Sequence, residues 1–358
     1  MNVEQLNQLL EMGFKSGASD VHLKAGNPPA FRINGKLQYL QADRLTPTAA
    51  RQVCLHLMRE PKHRDRIDEI QELDTSYSLA GIGRFRVNIY RQRGSLSAIL
   101  RIIPSDVPNL EQLGLPPQTV QLANEERGMI LVTGASGSGK STTLASLVHH
   151  INHTRNTHIV TVEDPIEYLH KNAQSSISQR EIGIDTANYH VALRAALRQD
   201  PDVIVVGEIR DQEAVDIALK ASETGHVVFS TIHTTDAPKT IGRLLSMFPS
   251  NEEDSVRMRL AENLRGTISQ RLLPRADGRG RIVAVELMFV TKTVQQYIRD
   301  PARTAGLREV LEKGRTQYGM QTFDQHLIEL HRSGYITIEV AMSAASNPSD
   351  FERSLHFS

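Results

Sequence analysis

The sequence predicts a two-part α/β protein: a small α+β domain with a mostly antiparallel sheet, then a doubly wound α/β domain with a parallel sheet. Three observations predict it. Short alternating apolar runs occupy residues 19–103, the period of half-buried strands. Further on, four short continuous apolar runs alternate with helix-like stretches, as central parallel strands covered on both faces do. Between the two textures, Pro104 to Pro117 holds four prolines and few apolar repeats, which reads as a linker. The expected division is 1–103, 104–117 and 118–358.

In chain order, Met1 to Gly13 carries Val3, Leu6, Leu9, Leu10 and Met12, read as one face of a short helix. Glu4 and Glu11, with no basic cluster, set this stretch apart from a signal peptide. Val21-His22-Leu23, Phe31-Arg32-Ile33 and Leu37-Gln38-Tyr39-Leu40 read as strands. Asn34-Gly35 between the last two favours a two-residue hairpin. A helix over Pro47–Leu57 follows, then strands over Phe85–Tyr90 and Leu96–Ile102. Past the linker, the buried strands are Met129–Thr133, His158–Val162, Asp202–Val206 and Val227–Ile232. Helices are expected over Lys140–His150, Tyr189–Gln199 and Gln212–Ser222. From about Asn251, the spacing of Val256, Leu260, Leu264, Ile268 and Leu272 predicts a helix. Asp277-Gly278 then turns between two strand-like runs, and helices resume to a polar tail.

Composition excludes several classes. Of 358 residues, 41 are basic and 41 acidic, which argues against a dedicated nucleic-acid binder. Cys54 is the only cysteine, so no internal disulfide and no cysteine-based zinc site can form. No apolar run approaches the roughly 18 residues that cross a bilayer, and a cytoplasmic protein is expected.

Gly134-Ala135-Ser136-Gly137-Ser138-Gly139-Lys140-Ser141 matches the phosphate-binding P-loop, placed as that motif requires between a strand and a helix. Its glycines let backbone N–H groups close on phosphates, Lys140 reaches the β/γ oxygens, and Ser141 offers a hydroxyl to magnesium. The helix behind it adds a positive N-terminal dipole. ATP and Mg²⁺ are therefore the expected ligands. Glu208 ends one apolar strand and Glu163 another, and carboxyl ends of neighbouring strands converge on bound phosphates. One acid would hold magnesium through water and the other serve as general base. Spacing leaves open which does which, and Glu163 has a purely structural alternative. In that structural alternative, Asp164 merely caps a helix that Pro165 begins. His226 and His233 flank the strand Val227–Ile232; His233 emerges at the phosphate end, where it can contact the γ-phosphate. His149 and His153 stand four apart without a third ligand, as on a solvated face. Arg84, Arg86 and Arg101 read either as an exposed sheet edge or as cations for transition-state charge.

Taken together, these residues resemble the secretion ATPase superfamily, and within it the type IV pilus retraction (twitching-motility, PilT-like) ATPases. The resemblance spans nearly the whole chain. It rests on Gly17-Ala-Ser-Asp-Val-His-Leu23, Gly83-Arg-Phe-Arg-Val-Asn88, the P-loop and Thr161-Val-Glu-Asp-Pro-Ile-Glu167. Gln179-Arg-Glu181, Ala192 to Asp202, Gly207-Glu-Ile-Arg-Asp211, Glu223-Thr-Gly-His226, Thr231-Ile-His-Thr-Thr235 and Gly319-Met-Gln-Thr-Phe-Asp324 complete it. It implies a PAS-like N-terminal domain, a RecA-like ATPase domain with a helical C-terminal region, and a ring-shaped homohexamer. Glu163 matches the family's acidic-box glutamate, Glu208 its Walker B glutamate, and His226 and His233 its histidine box. Arg86 and Arg101 match N-terminal arginines that meet nucleotide, and Gly134 to Thr142 the nucleotide-binding loop. The implied partners are an inner-membrane pilus platform protein, at whose cytoplasmic face the ring sits, and a paralogous pilus motor ATPase.

One stretch departs from the family pattern. Where retraction members carry an A-I-R-N-L-I-R-E-like run, this chain has Thr293-Val-Gln-Gln-Tyr-Ile-Arg-Asp300. Gln295 and Gln296 replace arginine and asparagine, which keeps an accessory retraction motor as an alternative. Extension and type II secretion ATPases resemble longer chains with a tetracysteine zinc insert, which a lone Cys54 cannot supply.

Overall fold

Side-chain alternation builds the first sheet. The computed structural model describes residues 1–58, 60–104, 106–346, 348 and 351–353; Ser105 of the proline-rich segment and the polar tail past Arg353 lie outside them. Its strands are β1 (Asp20–Lys24), β2 (Ala30–Ile33), β3 (Lys36–Tyr39), β4 (Glu72–Leu79), β5 (Gly83–Gln92) and β6 (Ser95–Ile103). They pair antiparallel in the order β3-β2-β1-β6-β5-β4. Asn34 (φ 50°) and Gly35 (φ 78°) make the expected tight turn between β2 and β3. Phe85, Val87, Ile89 and Leu100 bury one face against Leu6, Leu10, Val53 and Leu57 of the two covering helices, Val3–Lys15 and Pro47–Leu57. The first helix has a capping box of Asn2 and Gln5. Its buried stripe is Leu6, Leu9, Leu10 and Gly13, whereas Val3 and Met12 are exposed, contrary to the sequence expectation. At roughly 100° per residue they sit about 70° and 110° from the stripe's centre. Strand β4 was not foreseen because it is an edge: Glu72 and Asp74 break the apolar signal, as edge strands commonly do.

A second sheet has seven strands: β7 (Gly128–Gly134), β8 (His158–Glu163), β9 (Ser176–Glu181), β10 (Val203–Val206), β11 (Val227–Ile232), β12 (Leu264–Pro274) and β13 (Arg281–Phe289). The order is β13-β12-β7-β11-β10-β8-β9. Every neighbouring pair is parallel except the hairpin of β12 and β13. β7, β10 and β11 are buried along their whole lengths, which is why they read as continuous apolar runs rather than alternation. Helices Tyr189–Ala196, Gln212–Glu223 and Ala237–Leu245 are N-capped by Asn188, Asp211 and Asp236.

The structure departs from the sequence reading at three further places. The helix expected to run from about Asn251 ends at Asn263, and Leu264 to Leu272 lie in β12. An i, i+4 apolar spacing also fits one face of a strand, since four is a multiple of two; Ile268 and Leu272 share one core cluster this way, whereas the irregularity between Leu264 and Gly266 puts Leu264 in another. Close packing then decides: a Cβ on Gly266 would meet the Met288 carbonyl at 2.5 Å. Strand β9 was missed because Ser176, Ser178 and Gln179 hide it. No helix begins at Pro165, so the alternative in which Asp164 caps one is not met; residues 164–175 run without regular structure.

The chain divides into two compact units: residues 1–106 with 167–169, and residues 107–166 with the rest from His170. Among its described residues the proline-rich stretch forms no helix or strand. Its Leu110 and Leu115 bury in the second unit's core, in the cluster containing Leu147 and Ile151. Among the described residues no helix is long and apolar enough to cross a membrane.

Candidate nucleotide site

The carboxyl end of β7 turns through Ala135–Gly139 into the helix Lys140–Thr154. Glycine is required twice. Gly134 has φ 149°, and a Cβ there would collide with Ser138 Oγ and sit 2.6 Å from the Gln270 carbonyl. Gly139 caps the helix at φ 93°, a region side chains avoid. The helix's first backbone bond is donated by the Thr143 N–H to Gly139 O, and in the loop Ser138 N–H donates to Ala135 O at 3.2 Å; a helix start has first-turn amides with no acceptor inside the helix. Ser138 Oγ is buried with no partner among the described residues, and Ser141 is exposed. An uncommitted buried hydroxyl beside a helix N-terminus is what a phosphate chain fits.

Lys140 is 8% exposed, and its Nζ donates to the carbonyls of Gly134 (3.0 Å) and Ala135 (2.9 Å). Burial pushes its pKa down, and the Glu208 carboxylate opposes that. His233 emerges from β11, next to β7, with Nδ1 3.5 Å from Lys140 Nζ and Nε2 3.4 Å from Glu208 Oε1. Glu208 follows β10, and its other oxygen accepts from Arg210 Nε at 2.9 Å. The loop is tied to β11 by Thr231 Oγ1 donating to Gly207 O (2.7 Å) and by Ile209 N–H donating to Thr231 O (3.0 Å). The structure therefore gathers Lys140, Glu208 and His233 into one cluster.

Glu163 ends β8, one strand beyond β10. Its Oε1 accepts from Thr161 Oγ1 (2.6 Å) and Gln179 Nε2 (3.1 Å), which fix its direction. Three strand spacings of about 4.8 Å put it roughly 14 Å across the sheet from β7. His226 is not brought to the loop. It precedes the amino end of β11, where its Nδ1 meets Ala221 O (3.0 Å) and Thr224 Oγ1 (3.1 Å). Six strand residues separate it from the phosphate end, some 20 Å. Arg86 and Arg101 belong to the first unit, opposite each other on β5 and β6. Arg101 Nε donates to Oδ1 of the buried Asp20 at 3.0 Å, and Arg86 is exposed. His149 and His153 stack with ring centroids 4.1 Å apart, and no group of three metal-binding side chains exists among the described residues.

Sequence reasoning overlooked three neighbours. Arg210 pairs with Glu208, and its signal was its place two residues later in the same motif. Gln270 lies beside Gly134 on β12, and its buried Nε2 donates to Thr143 Oγ1 at 2.7 Å; an amide within an apolar strand was the available clue. Tyr189 places its hydroxyl against Gly207. Burial, then Asp164, Glu208 and Glu163, raise its pKa despite Arg210, so the phenol stays protonated. No spacing rule announces that contact.

In comparisons with known proteins, a family model described as "Type II/IV secretion system protein" matches residues 2–342. The type IV pilus retraction ATPase PilT of Pseudomonas aeruginosa is 40% identical over 97% of this chain and 99% of its own. From the same organism, the type IV pilus ATPase PilU is 37% identical over 97% of this chain and 90% of its own. A crystal structure of the pilus retraction motor PilT with bound ADP superposes with a TM-score of 0.87 at 45% identity, covering 97% of this chain and 99% of that one.

Proposed function

Since this chain belongs to the type II/IV secretion system protein family, as a PilT-like, ATP-hydrolysing pilus retraction ATPase, we propose how its residues run that motor. The second unit is its RecA-like ATPase domain, which binds nucleotide, and the six-stranded unit is the PAS-like N-terminal domain. The observation that carries the reading is the cluster of Lys140, Glu208 and His233 at the P-loop, over the cradle formed by Gly134 and Ser138.

In this scheme the amides at the helix start hold the β-phosphate, and Lys140 leaves its two carbonyls for the β/γ oxygens. Ser141 and, through water, Glu208 and Glu163 would hold Mg²⁺, which would neutralise phosphate charge. Glu163, aimed by Thr161 and Gln179, takes a proton from the attacking water. That oxygen bonds the γ-phosphorus while the bond to the bridging oxygen of ADP breaks. His233 links Glu208 to Lys140 and so senses whether a γ-phosphate is present. Arg86 and Arg101 meet nucleotide from the first unit, and His226 acts away from the loop. Six copies form a homohexameric ring on the cytoplasmic face of the inner membrane. There it turns a pilus platform protein and withdraws pilin, with a paralogous motor as partner.

The test is a count of surface pili and a motility assay in cells deleted for the gene, complemented with wild type or Lys140→Ala. Excess pili on non-moving cells, corrected by wild type alone, support retraction. Bald cells would make the ring an extension motor instead. Normal piliation with lost movement favours the accessory role raised by Gln295 and Gln296, which are half-buried and exposed on the helix Lys292–Arg299.

A further inference from the structure

Away from the P-loop, the second unit contains a cavity of about 750 Å³ walled by the β12–β13 hairpin, residues 111–118 and the helix Phe323–Arg332. We propose that this cavity is a second ligand site, for a phosphorylated small molecule of nucleotide size that carries at least two phosphate groups.

Four guanidinium groups converge on it from three parts of the chain. Arg275 follows β12 and Arg281 opens β13 at the tip of the hairpin, Arg315 comes from the short helix Arg315–Tyr318, and Arg332 from the end of the helix Phe323–Arg332. Glu111 and Glu329 also line the cavity, and Glu329 is engaged by Arg315. Arg275 is held by Asp277 at 3.5 Å. Arg281 and Arg332 have no acidic partner within 4.0 Å among the described residues. Arg332 also suits the negative end of its helix, but Arg281 has no such local reason. Like charges gathered at one cavity repel unless an anion joins them, and guanidinium forks match phosphate oxygens.

The rest of the wall suits the same ligand. His326 is buried, and its Nδ1 accepts the Val285 N–H at 2.9 Å, which places the ring proton on Nε2 as a donor. Burial and Arg315 hold its pKa down at about 4, so the ring is neutral. Tyr335 offers an aromatic face, with Arg275 5.3 Å from its centroid, where a base can stack. The volume falls within the range of small-molecule sites, roughly 300–1,000 Å³, and is small for a folded partner.

The experiment uses the full chain with its P-loop saturated by a non-hydrolysable ATP analogue and Mg²⁺, titrated calorimetrically with inorganic pyrophosphate. Wild type is expected to bind one further pyrophosphate per chain, more weakly as salt rises. Arg281→Gln with Arg332→Gln should weaken that event at least tenfold and leave basal ATP hydrolysis unchanged. Both side chains are exposed, and an unchanged ATPase rate reports that the variant folds. Absence of the second event, or equal affinity in the variant, overturns the proposal. So does a loss of assembly in the variant by light scattering, which would mean that these arginines pack against another copy. Tighter binding of an oligoglutamate than of pyrophosphate at the same arginines would make the occupant an acidic peptide and overturn it too.

Discussion

Glu286 provides a quantitative test of how the sheet supports the segment that follows His233. It sits on β13, 4% exposed, and accepts the Ala237 N–H at 2.8 Å at the start of the helix Ala237–Leu245. Burial lifts its carboxyl pKa from the ordinary 4.5 to about 7, with the Asp236 charge adding to the rise and Arg271 and Arg308 opposing it. Between those two values the folded protein binds a proton that the unfolded chain has released, so stability falls as pH rises. The contribution is fully present below about pH 4.5 and lost once pH passes about 7. At about 1.4 kcal/mol per pH unit this amounts to ~3 kcal/mol. Glu286→Gln keeps an oxygen for the Ala237 amide and cannot ionise. The variant is therefore expected to match wild type near pH 4.5 and to exceed it by ~3 kcal/mol at pH 8. Urea unfolding of both proteins across pH 4.5–8 measures the difference. A difference that stays flat with pH would refute the reasoning, because it would mean that Glu286 is ionised throughout.

Other expectations concern the site. Lys140→Ala should cut ATP turnover by roughly 100-fold or more, as loss of a preorganised cation at a developing charge does; unchanged phosphate release in that variant would remove the P-loop assignment. Gly134→Ala should strain the loop by ~1–3 kcal/mol and weaken nucleotide binding, read by titration of a fluorescent ATP analogue; normal affinity would mean that the collision with Ser138 and Gln270 relaxes. Arg101→Ala should slow hydrolysis while the ring stays assembled, followed by phosphate release and light scattering, and a normal rate sinks its proposed role. Glu163→Gln should bind ATP but hydrolyse it slowly, whereas rapid hydrolysis would pass the proton to another group.

Much of this protein was legible in the sequence because its signals are local. The buried strands β7, β10 and β11 read as apolar runs because helices cover both faces. The P-loop read as a phosphate cradle because its chemistry depends on glycines and a helix start only a few residues apart. The misreadings have two causes. Leu264–Leu272 satisfied helix and strand periods alike, and only pairing with β7 and β13 made it a strand. β4 and β9 lie at sheet edges, where solvent removes the apolar pattern.

By itself, then, the sequence determined the α/β class, the loop and the acids that end its strands. Tertiary structure decided which of those groups meet. His233 reached Lys140 and Glu208 because β11 lies between β7 and β10. His226, seven positions earlier, was left at the opposite end of the same strand. Gln270 met Thr143 from 127 residues away, and four arginines came to one cavity from a hairpin and two helices. Strand order and packing set such contacts, and spacing along the chain does not carry them.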